Sequence, residues 1–166
     1  MQNKMSRMRK INEIIIHCSD SNYGNKALIN KWHLERGWDC IGYHYVINNC
    51  YKTYNDYMKK SPDIKNDGNI EIGRPEHIKG AHCMSHNAKS IGICLIGTRN
   101  FTGNQITSLY ELMKRLICKY GKLEISGHYK YNNSKTCPNI DIEILRIKFA
   151  DDVPSIESLE EFYKKF

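Results

Sequence analysis

The chain has 166 residues, enough for one domain with a hydrophobic core of its own. It is 40% hydrophobic and 26% charged, as soluble globular proteins are, and no apolar run approaches the ~20 residues needed to cross a bilayer, which excludes a membrane-spanning helix; no membrane partner is expected. Twenty-five basic residues against 18 acidic ones leave a net charge of +7, which favours a polyanionic partner.

The first predicted element is a buried strand over 12–18, "NEIIIHC", ending in His17. "NKALINKWHLERG" (25–37) has helical apolar spacing and a glycine just past its end. "GYHYVIN" (42–48) reads as a second strand. The polar, tyrosine-rich piece from 49 to 65 has no clear period, and "NDGNIEIGR" (66–74) opens with an Asp-Gly turn into a short alternating strand. "SIGICLIG" (90–97) is the most apolar run and the predicted central strand. Apolar residues at 106, 109, 110, 113, 116 and 117 predict a helix over 102–121, stopped by Gly121. "KLEISGH" (122–128) returns as a strand that again ends in a histidine. Helices are predicted over 138–149 and 154–166, the second capped by Ser155. Strands and helices alternate without repeats or linkers, so residues 1–166 read as one α/β domain, a mixed sheet covered by helices.

The basic residues are scattered, with no paired-cysteine finger, basic heptad or aromatic RNA-binding signature, so nucleic acid is not an expected partner. The start, "MQNKMSRMRKINEIIIHCSD", lacks the apolar stretch of a secretory signal; the expectation is cytoplasmic synthesis and action elsewhere only after release. Seven cysteines without such a signal point to reduced thiols, not a disulfide framework. Cys94 and Cys118 read as small core residues. Cys137, in "SKTCPNID", has no apolar periodicity around it and fits that reading least.

His17 and His128 each close a predicted core strand, and Cys137 lies in the loop that leaves the second. Strand ends are where α/β folds place their chemistry. Two histidines and a cysteine suit a zinc site with three protein ligands and an open fourth position. Two other readings stay open on spacing alone. The histidines are ordinary core or edge residues, or the set holds copper, against which stands the absence of a methionine near His128 or Cys137.

The blocks "IIIHCSDS", "WHLERGWDCIGYHYVI", "GNIEIGRPE", "GAHCMSHNAKSIGICLIG" and "SGHYKYNNSKTCPNID" occur in an order and at a spacing that resemble one family. This is the zinc-dependent N-acetylmuramoyl-L-alanine amidases of the type-2 class, which include small phage amidase lysozymes and peptidoglycan recognition proteins. The resemblance runs from about residue 12 to about 141. It implies that fold, peptidoglycan as substrate, and one zinc per chain held by His17, His128 and Cys137; a monomer is expected. Tyr43 falls on a tyrosine that polarises the substrate carbonyl or orients the water, and Lys135 on a lysine that assists the same step. His82 and Asn87 match a segment that lines the substrate groove, whose usual glycine is Ser85 here. Residues 50–65 look like an insertion, and 151–166 like a C-terminal helical extension.

Amide hydrolysis needs a nucleophile at neutral pH and donors for a developing oxyanion, which a metal-bound water, the Tyr43 phenol and the Lys135 ammonium would supply. The function implied is cleavage between N-acetylmuramic acid and L-alanine, in a phage or prophage endolysin. The alternatives are a module that binds muropeptide without cutting it, against which Cys137 argues, and a regulator of a polymerase or nucleic acid, for which there is no motif. His33 is expected in packing or at the surface, His44 and His77 exposed, His86 beside the groove, and Trp38 and Tyr45 in the core.

Overall fold

The structure is a computed structural model; residues 9–152 are described, with side chains to residue 147. The elements are β1 (Glu13–Cys18), α1 (Lys26–Glu35), β2 (Tyr45–Ile47), α2 (Tyr54–Met58), β3 (Ile70–Ile72), β4 (Ser90–Leu95), α3 (Gly103–Tyr120), β5 (Glu124–Gly127) and α4 (Ile142–Asp152). The strands form one mixed sheet in the order β3-β2-β4-β1-β5. β1 lies parallel between β4 and β5, β2 is parallel to β4, and β3 pairs antiparallel at the edge. Among the described residues no helix is long and apolar enough to cross a membrane.

β1 and β4 are buried at every position, which is why their sequences are nearly continuous apolar runs. Strand alternation then divides their side chains between two different layers. Ile14 and Ile16 of β1, with Ile91, Ile93 and Leu95 of β4, pack in one cluster with Leu109, Leu112, Met113 and Leu116 of α3 and with Ile142 and Leu145 of α4. Each such side chain contributes roughly 1.5–3 kcal/mol on burial. On the other face Ile29 of α1 packs with Val46, Cys94 and Ile96, and Trp32 and Tyr43 border that cluster.

Local chemistry sets the ends of the helices. Asn25 caps α1 by accepting from Leu28 N–H at 2.9 Å. Thr102 and Gln105 form a capping box at the start of α3, and Gly121 at φ 79° ends it. Gln105 is also buried, and its Nε2 donates to the carbonyls of Ile47 and Ile96, fastening α3 to the ends of β2 and β4.

Several boundaries differ from the sequence expectation. β2 covers only 45–47, because His44 N–H already bonds Gly92 O and Gly42 N–H bonds the His33 ring. α4 starts at Ile142, not at 138: Asn139 sits at φ 59°, and Asp141 Oδ1 accepts from Glu143 N–H at 2.9 Å. Within 49–65 the chain forms α2, with Thr53 and Asp56 as its capping box, and a 3-10 turn at Ile64–Asn66. The helix expected over 154–166, with its Ser155 cap, lies outside the described residues.

Three burial expectations are also corrected. His44 is fully buried, held by Gly92 N–H on Nδ1 and the Ile78 carbonyl on Nε2. Cys118 is exposed on the outer side of α3, and Trp38 is 38% exposed beyond the end of α1.

Candidate metal centre

β1 and β5 are neighbours in register, with Ile16 opposite Gly127. The next residue along the chain in each case is a histidine, His17 within β1 and His128 just past the end of β5, so the parallel pairing brings the two together. Their ring centroids are 4.6 Å apart. Cys137 returns to this point on the loop that follows. Tyr129 N–H bonds Cys137 O at 2.9 Å, and Cys18 N–H donates to Cys137 Sγ at 3.1 Å. One ligand atom from each of His17, His128 and Cys137 lies within 4.8 Å of the others. Two imidazoles and a thiol converging from three segments fit a zinc ion with a fourth position left for water or substrate.

The same loop is tied down beneath the centre. The Tyr131 hydroxyl bonds the carboxylate of Glu13, which is buried at the start of β1 and also takes His86 Nδ1 at 2.9 Å and Ser126 Oγ at 3.3 Å. Glu13, Ile15 and His17 share one face of β1 by alternation. A polar floor therefore runs under the centre on the face opposite the α3 cluster. Glu13 was missed in the sequence, although a carboxylate two steps before an isoleucine and four before a histidine on the same strand face was a readable signal. Cys18, whose thiol meets that of Cys137, was also missed and carried no signal beyond its place beside His17.

Burial holds His17 well below the ordinary histidine range, with the neighbouring His82 and His128 adding to the effect. His128 is lowered as well, by burial and then by the Lys135 charge. Neutral imidazoles are the form that binds a metal. Contact with the Cys18 sulfur, and then burial, push the Cys137 thiol up. A bound cation reverses that direction by stabilising the thiolate.

Tyr43 stands beside the three donors, its ring 5.0 Å from that of His17 and 5.4 Å from that of His33. Burial raises its phenol well above the ordinary value, so it keeps its proton. His33 supports it from α1, buried as the packing residue expected, with Nδ1 accepting from Gly42 N–H at 3.0 Å. Lys135 is exposed on the ligand loop, near enough for its charge to be felt at His128.

His82 reaches the centre directly, and Asn87 reaches it through His82. His82 is 8% exposed, and its Nδ1 lies 3.0 Å from His17 Nε2. Asn87 Oδ1 accepts from the N–H groups of His82 and Cys83, both at 2.8 Å, and so braces the loop that carries His82. Ser85 adopts φ 66°, so this loop keeps a left-handed residue without a glycine. An open recess of about 440 Å³ begins just after the ligand strand, lined by Ser19, Asp20, Ser21, Trp32, Glu35 and Arg36.

Comparison with known proteins agrees with this geometry. The family model described as N-acetylmuramoyl-L-alanine amidase matches residues 7–140. The endolysin of Escherichia phage T7 is 33% identical over 142 residues, covering 78% of this chain and 82% of its own. Peptidoglycan-recognition protein SC2 of Drosophila melanogaster is 29% identical over 155 residues, covering 84% and 74%. Among solved structures, the N-acetylmuramoyl-L-alanine amidase LysC from Clostridium intestinale URNW superposes with a TM-score of 0.71 at 30% identity, covering 86% of this chain and 87% of that one. Drosophila PGRP-LB superposes at 0.61 and 25% identity, covering 78% and 75%. With the match spanning both histidines, Cys137 and every strand of the sheet, the chain belongs to the N-acetylmuramoyl-L-alanine amidase family.

Proposed function

We propose that this protein hydrolyses the amide bond between N-acetylmuramic acid and L-alanine in bacterial peptidoglycan, using one zinc ion, in a lytic setting like that of the phage endolysins it resembles. The observation that carries this reading is the convergence of the His17, His128 and Cys137 donor atoms within 4.8 Å, with Tyr43 alongside, in a chain of the amidase family.

His17, His128 and Cys137 would hold the ion, and His17 would use Nδ1, because its Nε2 is engaged with His82. Zinc supplies a water acidic enough to give hydroxide near neutral pH. The Tyr43 O–H, kept protonated by burial, donates to the scissile carbonyl oxygen as negative charge grows there. Lys135, on the solvent side, adds positive charge to the same oxygen. Its exposure lets it exchange protons with water, which supports a role in protonating the departing amine. Removing one donor to an oxyanion typically costs ~10²–10³ in rate. We assign the stem peptide to the open recess of about 440 Å³ past Ser19.

Elemental analysis of the purified chain tests the metal. About one zinc per chain is expected. A strong chelator should remove both the zinc and the hydrolysis of a muramoyl-L-alanine peptide, and added zinc should restore them. Hydrolysis without stoichiometric zinc, unaffected by the chelator, would overturn the reading.

A further inference from the structure

We propose that His82 is a positioning residue for the metal centre, one that fixes the tautomer and rotation of His17, and not a substrate contact. This rests on the zinc reading above.

The direction of the hydrogen-bond chain is set at its far end. Ser90 Oγ lies 2.8 Å from the His86 carbonyl oxygen, which can only accept, so the serine proton points there. The serine oxygen is then an acceptor for His82 Nε2–H, 3.4 Å away. A neutral His82 protonated at Nε2 has a bare Nδ1, and that atom lies 3.0 Å from His17 Nε2. His17 must therefore carry its proton on Nε2 and leave Nδ1 with a free lone pair. A ligating histidine needs this tautomer, and metal-binding histidines commonly have the non-ligating N–H anchored in this way.

The protein has also made a slot for the ring. Register places Gly92 of β4 opposite Ile15 and Cys94 opposite His17, so Gly92 and His17 share a sheet face one step apart. A Cβ built on Gly92 would come within 2.5 Å of His82 Cδ2 and Cγ. A Cβ on Gly80 would come within 2.6 Å of His82 Cδ2 and 2.9 Å of His44 Cε1. The imidazole occupies the space that two missing side chains leave. Asn87 fixes the backbone at the root of the same ring by accepting from His82 N–H and Cys83 N–H. With both nitrogens engaged and 8% of the residue exposed, His82 has nothing to offer a muropeptide.

The test measures zinc affinity of the full chain by competition with a chromophoric chelator, alongside kcat and KM for a soluble muropeptide at saturating zinc. His82→Ala is expected to weaken zinc binding by about 10–100-fold, the usual effect of losing such a partner, with KM changing less than about twofold. His82→Asn, whose Oδ1 stands near the position of Nδ1, is expected to recover most of that loss. Gly92→Ala keeps the histidine but displaces its ring, and is expected to weaken zinc binding in the same direction if His82→Ala fails to fold. Zinc affinity unchanged in the folded Ala variants, asparagine rescuing no better than alanine, or a raised KM at unchanged zinc affinity would each overturn the proposal. A parent chain without tight zinc would instead remove the metal reading on which it stands.

Discussion

Tyr43 and Cys137 are the residues at which the chemistry is most exposed to test. Tyr43→Phe keeps the ring between His17 and His33 and removes only the hydroxyl. Turnover is expected to fall by ~10²-fold or more, with zinc content and muropeptide affinity little changed, as for a donor used mainly in the transition state. Steady-state kinetics beside direct binding separate this from an anchoring role, which would lower affinity and rate together. Cys137→Ser removes the thiolate and is expected to strip the zinc, whereas Cys118→Ser, exposed on α3, should alter neither zinc nor stability. Elemental analysis and thermal unfolding of the two variants check both statements. At this scale the sequence was partly legible. His17, His128 and Cys137 could be picked out as strand-end and loop donors that suit one metal site, and the resemblance favoured that reading over its alternatives. Their proximity depends on the β1–β5 register, which no local pattern encodes. His44 was misjudged because its partners, Gly92 and Ile78, lie far along the chain.

The elements separate into those that carry the centre and one that stands apart from it. β1, β4 and α3 were legible because their apolar periods are long and unbroken, and their burial follows that pattern. The start of β2 and the start of α4 were not, since the Gly42 N–H bond to the distant His33 ring shortens the strand, and Asn139 at φ 59° with Asp141 as cap delays the helix. Leu112→Ala in α3, with Leu112 1% exposed under the sheet, is expected to cost about 2–5 kcal/mol in a urea titration through the cavity it leaves. The 50–65 segment is closed at its neck by Asp63 N–H on Cys50 O at 2.8 Å. Tyr51 and Tyr57 pack together, and Tyr57 and Tyr54 meet Tyr23 on the loop after the ligand strand. Replacing residues 52–62 with a short Gly-Ser turn is expected to leave zinc binding and hydrolysis of small muropeptides intact, since no ligand comes from this stretch and lengthening a loop costs only ~0.6 kcal/mol per doubling. If its lysines grip the wall, activity on whole sacculi should drop with the deletion, most visibly at low salt. Loss of zinc on deletion would mean that Tyr23 and its loop depend on the segment to hold β1 in place.

For the molecule as a whole, the buried histidines set an acid limit. Burial, with Arg36 and Arg74 nearby, holds His33 at about 4, and burial likewise holds His44 at about 4. Below 6.5 the unfolded chain therefore binds protons that the folded chain refuses. Stability should be full above about pH 6.5 and decline as the pH falls toward 4. The fully buried His44 alone accounts for a loss on the order of 3 kcal/mol across that window. Urea midpoints taken with chelator present, so that metal release does not contribute, should fall steadily from pH 7 to 4.5; a flat profile would mean that these rings are charged in the folded state.

The central claim is which bond is cut. Peptidoglycan incubated with the zinc-loaded protein and assayed for new chain ends answers it directly. Free L-alanine amino groups appearing without new reducing sugars are the expected result. New reducing ends without new amino groups would mean that a glycosidic bond is broken, and would contradict the account.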